Sequence, residues 1–330
     1  MKTALIFRSK ERKEFSIETL FECLKSYINN TCETHDYFLP HGRYNNIKAL
    51  LSNVKYTKEI KADVYHITGE VNFVALAIPK NQCIITVHDY VDIENMRGIK
   101  KIIRWLFWCY IPYRRCKYLA CISHKTARET VEKFPFTKEK VVYIPNPIDD
   151  SYTFTPKQFN ADCPRILVVG TRENKNLERI VEAVNGLKCS LFIIGVLSDR
   201  QRVLLEKYKI NYENVFHISD EEMRAAYIQS DLVCFPSTYE GFGRPIIEAN
   251  AIGRVVVTSN IEPMIEVSNG TAILVNPYSV ESIREGIVKA TTDEKTREML
   301  INRGLDNAKQ YKASLVADSY CKLYKQCYAK

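Results

Sequence analysis

Two glutamates with glycines between them are the residues of this sequence best suited to binding chemistry. Glu240 and Glu248 stand eight positions apart, with Gly241, Gly243 and Pro245 between them. Proline is favoured in the first turn of a helix, so a helix is predicted to begin at Pro245. Free amide groups at a helix start attract anions, and glycines let a diphosphate approach the backbone. Carboxylates suit the hydroxyl groups of a sugar or a ribose, so the segment predicts a site for a neutral polyol joined to a phosphate.

A simpler interpretation of Glu248 is an ion pair with Arg244, four residues earlier on the same predicted helix. Such pairs on a helix surface contribute about 0.3–0.5 kcal/mol. The spacing favours the binding role of Glu248 and leaves the ion pair open.

The elements around this site alternate between short apolar runs and amphipathic stretches of helical length, which is typical of βαβ units and parallel sheets. The pattern stops at Pro145-Asn146-Pro147 and restarts at Arg165. It predicts an α/β protein with two Rossmann-like, doubly wound parallel-sheet domains. The predicted parts are a first domain at 1–150, a linker at 151–163, a second domain at 164–310 and a helical segment at 311–330. Ligands of such sheets bind at the carboxyl ends of the strands, so a binding cleft between the domains is expected.

The apolar runs predict six strands in each domain. They are Thr3–Phe7, Asp36–Leu39, Asp63–Ile67, Cys83–Val87, Tyr118–Ile122 and Val141–Ile144, then Arg165–Val169, Ser190–Ile194, Val215–His217, Leu232–Phe235, Val255–Thr258 and Ala272–Val275. Helices are predicted at Ser16–Tyr27, Asn46–Ile60, Ser123–Lys133, Leu177–Val184, Asp199–Tyr208, Glu221–Gln229, Pro245–Ile252 and Ser279–Thr292, and from Asp293 to the end with a break near Tyr311.

Several signatures of other enzyme classes are missing. No Gly-x-Gly-x-x-Gly follows the first strand of either domain, and the sequence has no P-loop and no Gly-x-Ser-x-Gly. Their absence argues against NAD-dependent enzymes, P-loop NTPases and α/β-hydrolases. The sequence also has no Asp-x-Asp pair that would suggest a bridging divalent metal.

The composition further restricts the class of protein to which this chain can belong. The 330 residues are 46% hydrophobic and 26% charged, as in ordinary soluble globular proteins. Eleven scattered cysteines without a Cys-x-x-Cys pair favour reduced, buried thiols. The first apolar run is too short for a signal peptide, and no run of about 18 apolar residues would span a bilayer, so a cytoplasmic protein is expected. The net charge of +8 favours an anionic partner, but no nucleic-acid-binding motif is found.

The acidic pair lies inside the frame Pro-Ser-x-x-Glu-Gly-Phe-Gly-x-Pro-x-x-Glu-Ala, residues 236–249. This frame resembles the donor-site motif of retaining glycosyltransferases of family 4, which have the GT-B fold. Further similar segments are 168–177, 219–223, 262–267 and 274–277, and, more loosely, 66–70, 86–90 and 144–147. The resemblance covers nearly the whole chain and implies that the C-terminal helix crosses back to the first domain.

The resemblance implies a role for each matching residue. Lys175, with Arg172, should neutralise the diphosphate of a nucleotide-sugar donor as it leaves, where other enzymes use a metal ion, so neither metal nor cofactor is expected. Glu240 should contact the hydroxyls of the donor sugar, Glu248 the ribose, and His88 should lie near the donor sugar. Glu240, His88 and Lys175 are thus the expected catalytic residues. The other expected donor contacts are Ile218, Ser219, Gly241, Phe242 and Gly243.

Plainer interpretations of two of these residues remain open. A lysine that follows a strand is usually solvated, which would explain Lys175 without a ligand. A histidine at the end of a strand can satisfy backbone groups there, which would explain His88 without a substrate.

The loop after the first strand departs from the family pattern. Residues 8–16 contain no glycine and several basic groups. We assign Arg8, Ser16 and Glu18 to the acceptor side, where the loop would read an anion on the acceptor. A solvated charge run is the favoured alternative.

A helical segment at 97–115 combines basic residues with both tryptophans of the chain. Basic and aromatic helices often lie at anionic membrane surfaces, which predicts peripheral contact with the inner face of the cell membrane. The alternative, slightly favoured, is a helix whose aromatic side chains pack on the first domain.

The leading prediction is therefore a retaining, metal-independent glycosyltransferase. It would move a hexose from a UDP- or GDP-sugar to a glycan or lipid-linked acceptor in surface polysaccharide or glycolipid synthesis. One alternative is a sugar-nucleotide 2-epimerase of the same fold, and another is a non-catalytic subunit that binds nucleotide sugars or glycans.

Overall fold

The computed structural model describes residues 1–11, 16–44 and 46–329. The chain forms two compact units. Unit 1 consists of residues 1–149 and 313–330, and unit 2 of residues 150–312. Unit 2 is therefore an insertion between two segments of unit 1.

Unit 1 is built on a parallel sheet. Its strands in the described residues are β1 (Lys2–Phe7), β2 (Glu33–Phe38), β3 (Val64–Ile67), β4 (Cys83–Val87), β5 (Tyr118–Cys121) and β6 (Val141–Tyr143), in the order β2-β1-β3-β4-β5-β6. Its helices up to residue 149 include α1 (Ser16–Asn29), α2 (Ile47–Glu59), α3 (Val91–Asn95), α4 (Gly98–Arg104), α5 (Ile111–Arg115) and α6 (His124–Lys133). A 3-10 helix spans Asn72–Ala77, and a π-helical stretch, Trp105–Tyr110, joins α4 to α5.

Unit 2, whose residues are all described, repeats this plan. Its strands are β7 (Arg165–Val169), β8 (Ser190–Ile194), β9 (Tyr212–Val215), β10 (Leu232–Phe235), β11 (Val255–Ser259) and β12 (Ala272–Val275), in the order β12-β11-β10-β7-β8-β9. Its helices are α7 (Leu177–Val184), α8 (Asp199–Lys207), α9 (Asp220–Gln229), α10 (Arg244–Ile252), α11 (Met264–Ser268), α12 (Val280–Thr292) and α13 (Glu294–Ala308). Buried apolar strands such as β11, Val-Val-Val-Thr-Ser, need helices on both faces, which explains the layered arrangement.

The last helix, α14 (Ala313–Tyr328), belongs to unit 1, where it packs against α1. Tyr320 and Tyr324 are buried in the same core cluster as Phe21 of α1. Polar contacts also tie α14 to the sheet. His66 on β3 bonds the Tyr324 hydroxyl through Nδ1 at 2.8 Å and Thr86 on β4 through Nε2 at 2.7 Å. Because His66 is fully buried, desolvation lowers its pKa to about 3, and it stays neutral.

Most predicted elements are confirmed to within two or three residues, and the predicted class, α/β with two parallel sheets, is the observed one. The prediction of a strand at Val215–His217 is wrong, because β9 covers Tyr212–Val215 and His217 adopts a left-handed backbone with φ 55°. Strand β9 lies at the edge of its sheet and begins with the exposed Tyr212 and Glu213, so it lacks the apolar run that marks the inner strands.

Residues 151–163 contain neither helix nor strand, and they lie within unit 2. This segment is held by the carboxylate of Asp231, which accepts hydrogen bonds from Lys157 Nζ and the backbone amide of Asn160. Among the described residues, no helix is both long and apolar enough to cross a membrane.

Candidate functional site

The loop that follows β7 places Lys175 at the carboxyl end of the unit 2 sheet. Gly170 begins this loop with a φ of 90°, a backbone conformation that favours glycine. A Cβ atom on Gly170 would lie only 2.9 Å from Lys175 Cγ. The glycine therefore lets the lysine side chain lie across the backbone at the end of the strand.

Lys175 meets Glu240 in the loop that follows the neighbouring strand β10. Lys175 Nζ donates to Glu240 Oε1 at 2.6 Å, and both side chains are largely buried. Lys175 Nζ also lies 4.8 Å from the centre of the Phe235 ring. The fold thus brings together two sequence-predicted catalytic residues that stand 65 positions apart.

Two asparagines join these loops. Asn174 Nδ2 donates to the Tyr239 carbonyl at 2.9 Å and to Glu240 Oε1 at 3.3 Å. Asn176 has a left-handed backbone, and its Nδ2 donates to the carbonyls of Pro236 and Pro277. Sequence reasoning gave neither residue a role, because their partners lie at least 60 residues away.

Helix α10 begins directly after the Glu240 loop. Its N-cap, Gly243, has a φ of 110°, and Pro245 stands in its first turn, as the sequence predicts. Phe242, which is predicted to contact the donor, is buried, and its ring meets the Tyr311 ring edge-on at 5.7 Å. Phe242 therefore anchors the loop in the core, with Gly241 beside it in the chain.

Glu248 is buried on α10 with both carboxylate oxygens engaged. Arg244 Nη2 lies 3.0 Å from Oε1, so the ion pair considered above is present. The Tyr227 hydroxyl donates to Oε2 at 2.7 Å. Burial, together with the charge of Glu248, raises the pKa of Tyr227 well above its ordinary value, so this hydroxyl keeps its proton. Tyr227 on α9 is a partner of Glu248 that sequence reasoning missed.

The other predicted donor contacts lie on loops at the same edge of the sheet. Arg172 is exposed in the loop after β7. Ile218 and Ser219 follow β9, two strands away from β7. Ser219 caps α9: its Oγ accepts from the Glu222 amide at 3.2 Å, and Glu222 Oε2 accepts from the Ser219 amide at 2.7 Å. The preceding Phe216 is half exposed and offers an aromatic face that was not predicted.

His88, the remaining predicted catalytic residue, follows β4 in unit 1. Its Nε2 donates to the Thr68 carbonyl at 2.8 Å, so Nδ1 is the acceptor nitrogen of the neutral ring. Burial lowers the pKa of His88, which favours this neutral form. A Cβ atom on Gly69 would lie 2.6 Å from His88 Cδ2, so the glycine makes room for the ring. The alternative in which His88 satisfies a strand end agrees with this hydrogen bond.

Arg8, at the end of β1, is buried between two carboxylates. Its Nε lies 3.0 Å from Glu18 Oε1, and its Nη1 lies 3.1 Å from Glu70 Oε2. Burial lowers the pKa of Arg8, but the hydrogen bonds and charges of Glu18 and Glu70 raise it by more, so the pKa lies above its ordinary value. The favoured prediction of a solvated charge run is wrong for Arg8, because the fold pairs its charge internally. Residues 12–15 and the side chain of Ser16 lie outside the described part of the chain.

Glu70 stands out in this cluster because it adopts a left-handed backbone, with φ 59°. The indole Nε1 of Trp108 donates to its carbonyl at 2.9 Å. Non-glycine residues in this conformation carry strain, which often marks functional sites. Sequence reasoning assigned Glu70 no role.

A surface cavity of about 770 Å³ opens beside the loops that follow β1 and β2. Glu11, His41, Arg43 and Lys48 are among its lining residues. The cavity therefore lies at the carboxyl edge of the unit 1 sheet, where the sequence predicts the acceptor. The described residues contain no group of three or more histidine, cysteine, aspartate or glutamate side chains arranged to hold a metal ion.

Comparison with solved structures identifies the fold class. Sucrose-phosphate synthase from Thermosynechococcus elongatus matches 100% of this chain and 99% of its own, with a TM-score of 0.80 and 16% sequence identity. This likeness, together with the two parallel sheets, assigns the chain to the GT-B fold.

Family models then identify the group. Residues 17–152 match the model described as Glycosyltransferase Family 4, and residues 153–306 match the model described as Glycosyl transferases group 1. The two models meet end to end over most of the chain, so this protein belongs to glycosyltransferase family 4.

The names of two curated relatives state which sugar those enzymes transfer. The O-antigen chain mannosyltransferase B of Escherichia coli is 36% identical over 218 residues, which is 59% of this chain and 57% of that protein. The O-antigen chain mannosyltransferase RfbU of Salmonella typhimurium is 25% identical over 247 residues, which is 71% of this chain and 69% of that protein. The first match thus spans little more than half of its relative.

Proposed function

We propose that this chain transfers a hexose from a nucleotide-sugar donor to a glycan or lipid-linked acceptor during synthesis of a surface polysaccharide of the O-antigen type. Mannose is the first candidate sugar, because both curated relatives are named mannosyltransferases. The observation that carries the proposal is the contact between Lys175 and Glu240, which joins a cation to a carboxylate beside the start of α10.

In this proposal the two residues divide the donor between them. The leaving nucleoside diphosphate gains negative charge as the bond to the sugar breaks, and Lys175 Nζ stabilises that charge in a largely buried site. Glu240 exchanges its contact with Lys175 for hydroxyls of the donor sugar. Arg172 and the amides at the start of α10 add to the phosphate site, so departure of the diphosphate needs no divalent metal. An acceptor hydroxyl attacks the anomeric carbon from the face that the diphosphate leaves and gives its proton to the departing phosphate, so the configuration at the anomeric carbon is retained.

Further residues of each unit have roles in this proposal. Glu248, held by Tyr227 and Arg244, presents a fixed carboxylate to the ribose. The segment of Ile218 and Ser219 faces the base. In unit 1, neutral His88 offers Nδ1 as a hydrogen-bond acceptor to a sugar hydroxyl. Glu70, which is held by Arg8 and Trp108, offers its carboxylate to the acceptor substrate.

The experiment measures binding and turnover across a panel of UDP- and GDP-sugars, including GDP-mannose, with EDTA present throughout. Wild type is compared with Lys175→Ala and Glu240→Gln. Each substitution is expected to lower turnover on the order of 100-fold or more, as loss of a charge-stabilising group does in other enzymes.

Lys188→Ala is the matched control. Lys188 is an exposed lysine that precedes β8 and so lies at the opposite edge of the same sheet. It should behave as wild type. If no nucleotide sugar binds, or if Lys175→Ala turns over as fast as Lys188→Ala, the proposed donor site is wrong. NMR of the product's anomeric configuration tests retention separately.

A further inference from the structure

The helical run from α4 through the π-helical stretch presents an apolar face to solvent. Ile99, Ile102, Ile103 and Phe107 are 73%, 64%, 49% and 40% exposed. Ile102, Ile103 and Phe107 stand three, four and eight residues after Ile99, which places all four along one side of a helix. We call these four residues the isoleucine face. Exposed apolar residues grouped in this way mark interaction surfaces.

The two tryptophans of the same run pack against unit 1 instead. Trp108 is buried, packs on Phe73 with ring centres 4.8 Å apart, and donates its indole hydrogen to Glu70 O. Trp105 stacks on Tyr110 and Phe134. The tryptophan side chains therefore fix the run to unit 1, as the favoured alternative predicts. They are not the residues that a partner would meet.

Helix α2 carries a second exposed apolar pair, Ile47 at 67% and Leu51 at 62%, one helical turn apart. It packs on the 3-10 helix Asn72–Ala77, which in turn packs on the π-helical stretch Trp105–Tyr110. The two apolar surfaces thus belong to one connected group of elements in unit 1.

The two segments that carry these residues are basic, and the nearby Glu94 of α3 is paired with Lys133. Residues 43–58 contain four basic residues and residues 97–117 contain seven, and neither segment has an acidic residue. Lys100 follows Ile99 directly and is exposed. A second copy of this chain would bring the same positive charge to the contact, which opposes self-association through this surface. An anionic lipid surface has both the opposite charge and an apolar interior.

We propose that the isoleucine face, with Ile47 and Leu51, docks unit 1 on an anionic lipid bilayer. The isoleucines enter the boundary between headgroups and acyl chains, and the flanking lysines and arginines contact lipid phosphates. This surface contact adds a partner to the proposed function and does not involve the donor site.

The test is co-sedimentation of the full chain with vesicles of phosphatidylcholine alone or with about one third phosphatidylglycerol, at low and high salt. Wild type should bind the anionic vesicles and be released by salt. The double variant Ile99→Ser/Ile102→Ser should bind at least about tenfold more weakly, because apolar burial is lost. Lys100→Glu/Lys101→Glu should abolish binding at low salt.

Matched controls use exposed positions elsewhere. Leu315→Ser/Val203→Ser removes two exposed apolar side chains, and Lys322→Glu/Lys325→Glu reverses two exposed lysines of α14. Both should bind vesicles as wild type does. Nucleotide-sugar binding, measured without vesicles, should be unchanged in every variant, so a failure of the donor site stays distinguishable. The proposal is overturned if wild type binds no vesicles, or if the isoleucine variant binds them as well as wild type does. It is also overturned if the only effect of the isoleucine substitutions is to convert a dimer into monomers.

Discussion

The Lys175 side chain lies against Gly170 where it extends towards Glu240. At Gly170 there is room only for the hydrogen atoms of a glycine. Gly170 has a φ of 90°, and a Cβ atom added to it would lie 2.9 Å from Lys175 Cγ, so any larger residue meets both backbone strain and a clash. The chain offers a comparison in Gly186, which has a φ of 76° and open space around the same position.

Gly170→Ala is therefore expected to damage activity and stability together. The strained backbone should cost about 1–3 kcal/mol in both Gly170→Ala and Gly186→Ala. Only Gly170→Ala displaces Lys175, so its kcat should fall on the order of 10- to 100-fold. Urea unfolding and steady-state kinetics measure the two effects. Equal kcat values for the two variants would contradict a positioning role of Gly170.

For single residues, the sequence predicted correctly those positions that depend only on neighbours along the chain. Glu240, Gly243 and Pro245 could be placed because a loop and a helix start are local features. Tyr227 and Glu70 were missed because their partners are distant in the chain: Tyr227 meets Glu248 21 residues away, and Glu70 meets Arg8 62 residues away. Such pairs become visible only when the sheet order is known.

Among the elements, α14 is joined to the sheet of unit 1 by the buried imidazole of His66. His66 contacts Tyr324 on α14 and Thr86 on β4, and its pKa is about 3 in the folded chain against 6.5 for an unperturbed histidine. Between these pH values the unfolded chain binds a proton that the folded chain does not. The free energy of unfolding should therefore fall as pH drops from about 6.5 towards 3, by up to about 1.4 kcal/mol per pH unit.

His66→Gln isolates this effect, because glutamine keeps hydrogen-bonding groups but does not titrate. Urea unfolding of wild type and variant between pH 4 and 7 measures it. The variant should be less stable at pH 7 but should lose less stability on acidification. Burial also lowers the pKa of His88, which remains in both chains and so cancels in the comparison. Parallel pH profiles would show that His66 does not control the acid response.

The prediction of helices and strands also succeeded for features that are local in the sequence and failed for those that depend on distant contacts. Buried strands such as β8 and β10 were placed residue for residue because continuous apolar runs mark strands covered on both faces. The edge strand β9 was misplaced, since its exposed start carries no such run. The helical run 97–115 was predicted, but which of its faces turns outward depends on Phe73, Phe134 and Glu70, which belong to other elements.

For the whole molecule, the division into units predicts what removal of α14 does. Val316, Tyr320, Leu323 and Tyr324 are buried in the core of unit 1. Each such side chain contributes about 1.5–3 kcal/mol, so their sum is comparable with the total stability of a domain, about 5–15 kcal/mol. A chain that ends at Lys312 should therefore have an unfolded unit 1 and an intact unit 2.

Limited proteolysis with mass spectrometry checks this outcome. Fragments close to residues 150–312 should persist while residues 1–149 are digested, and the intact chain should resist at both units. Equal resistance of both halves in the shortened chain would contradict the assignment of α14 to the core of unit 1.

The insertion of unit 2 into unit 1 also orders events in time. A ribosome makes a chain from its N-terminal end onwards, and domains commonly fold as they emerge. Unit 2 has all its residues once Lys312 is outside the ribosome, whereas unit 1 must wait for α14. During that interval the α1 face of the sheet, with Phe21 and Leu24, is uncovered and open to chaperones. The unit synthesised first is therefore the last to be finished, and the isoleucine face gains a stable support only when translation has passed α14.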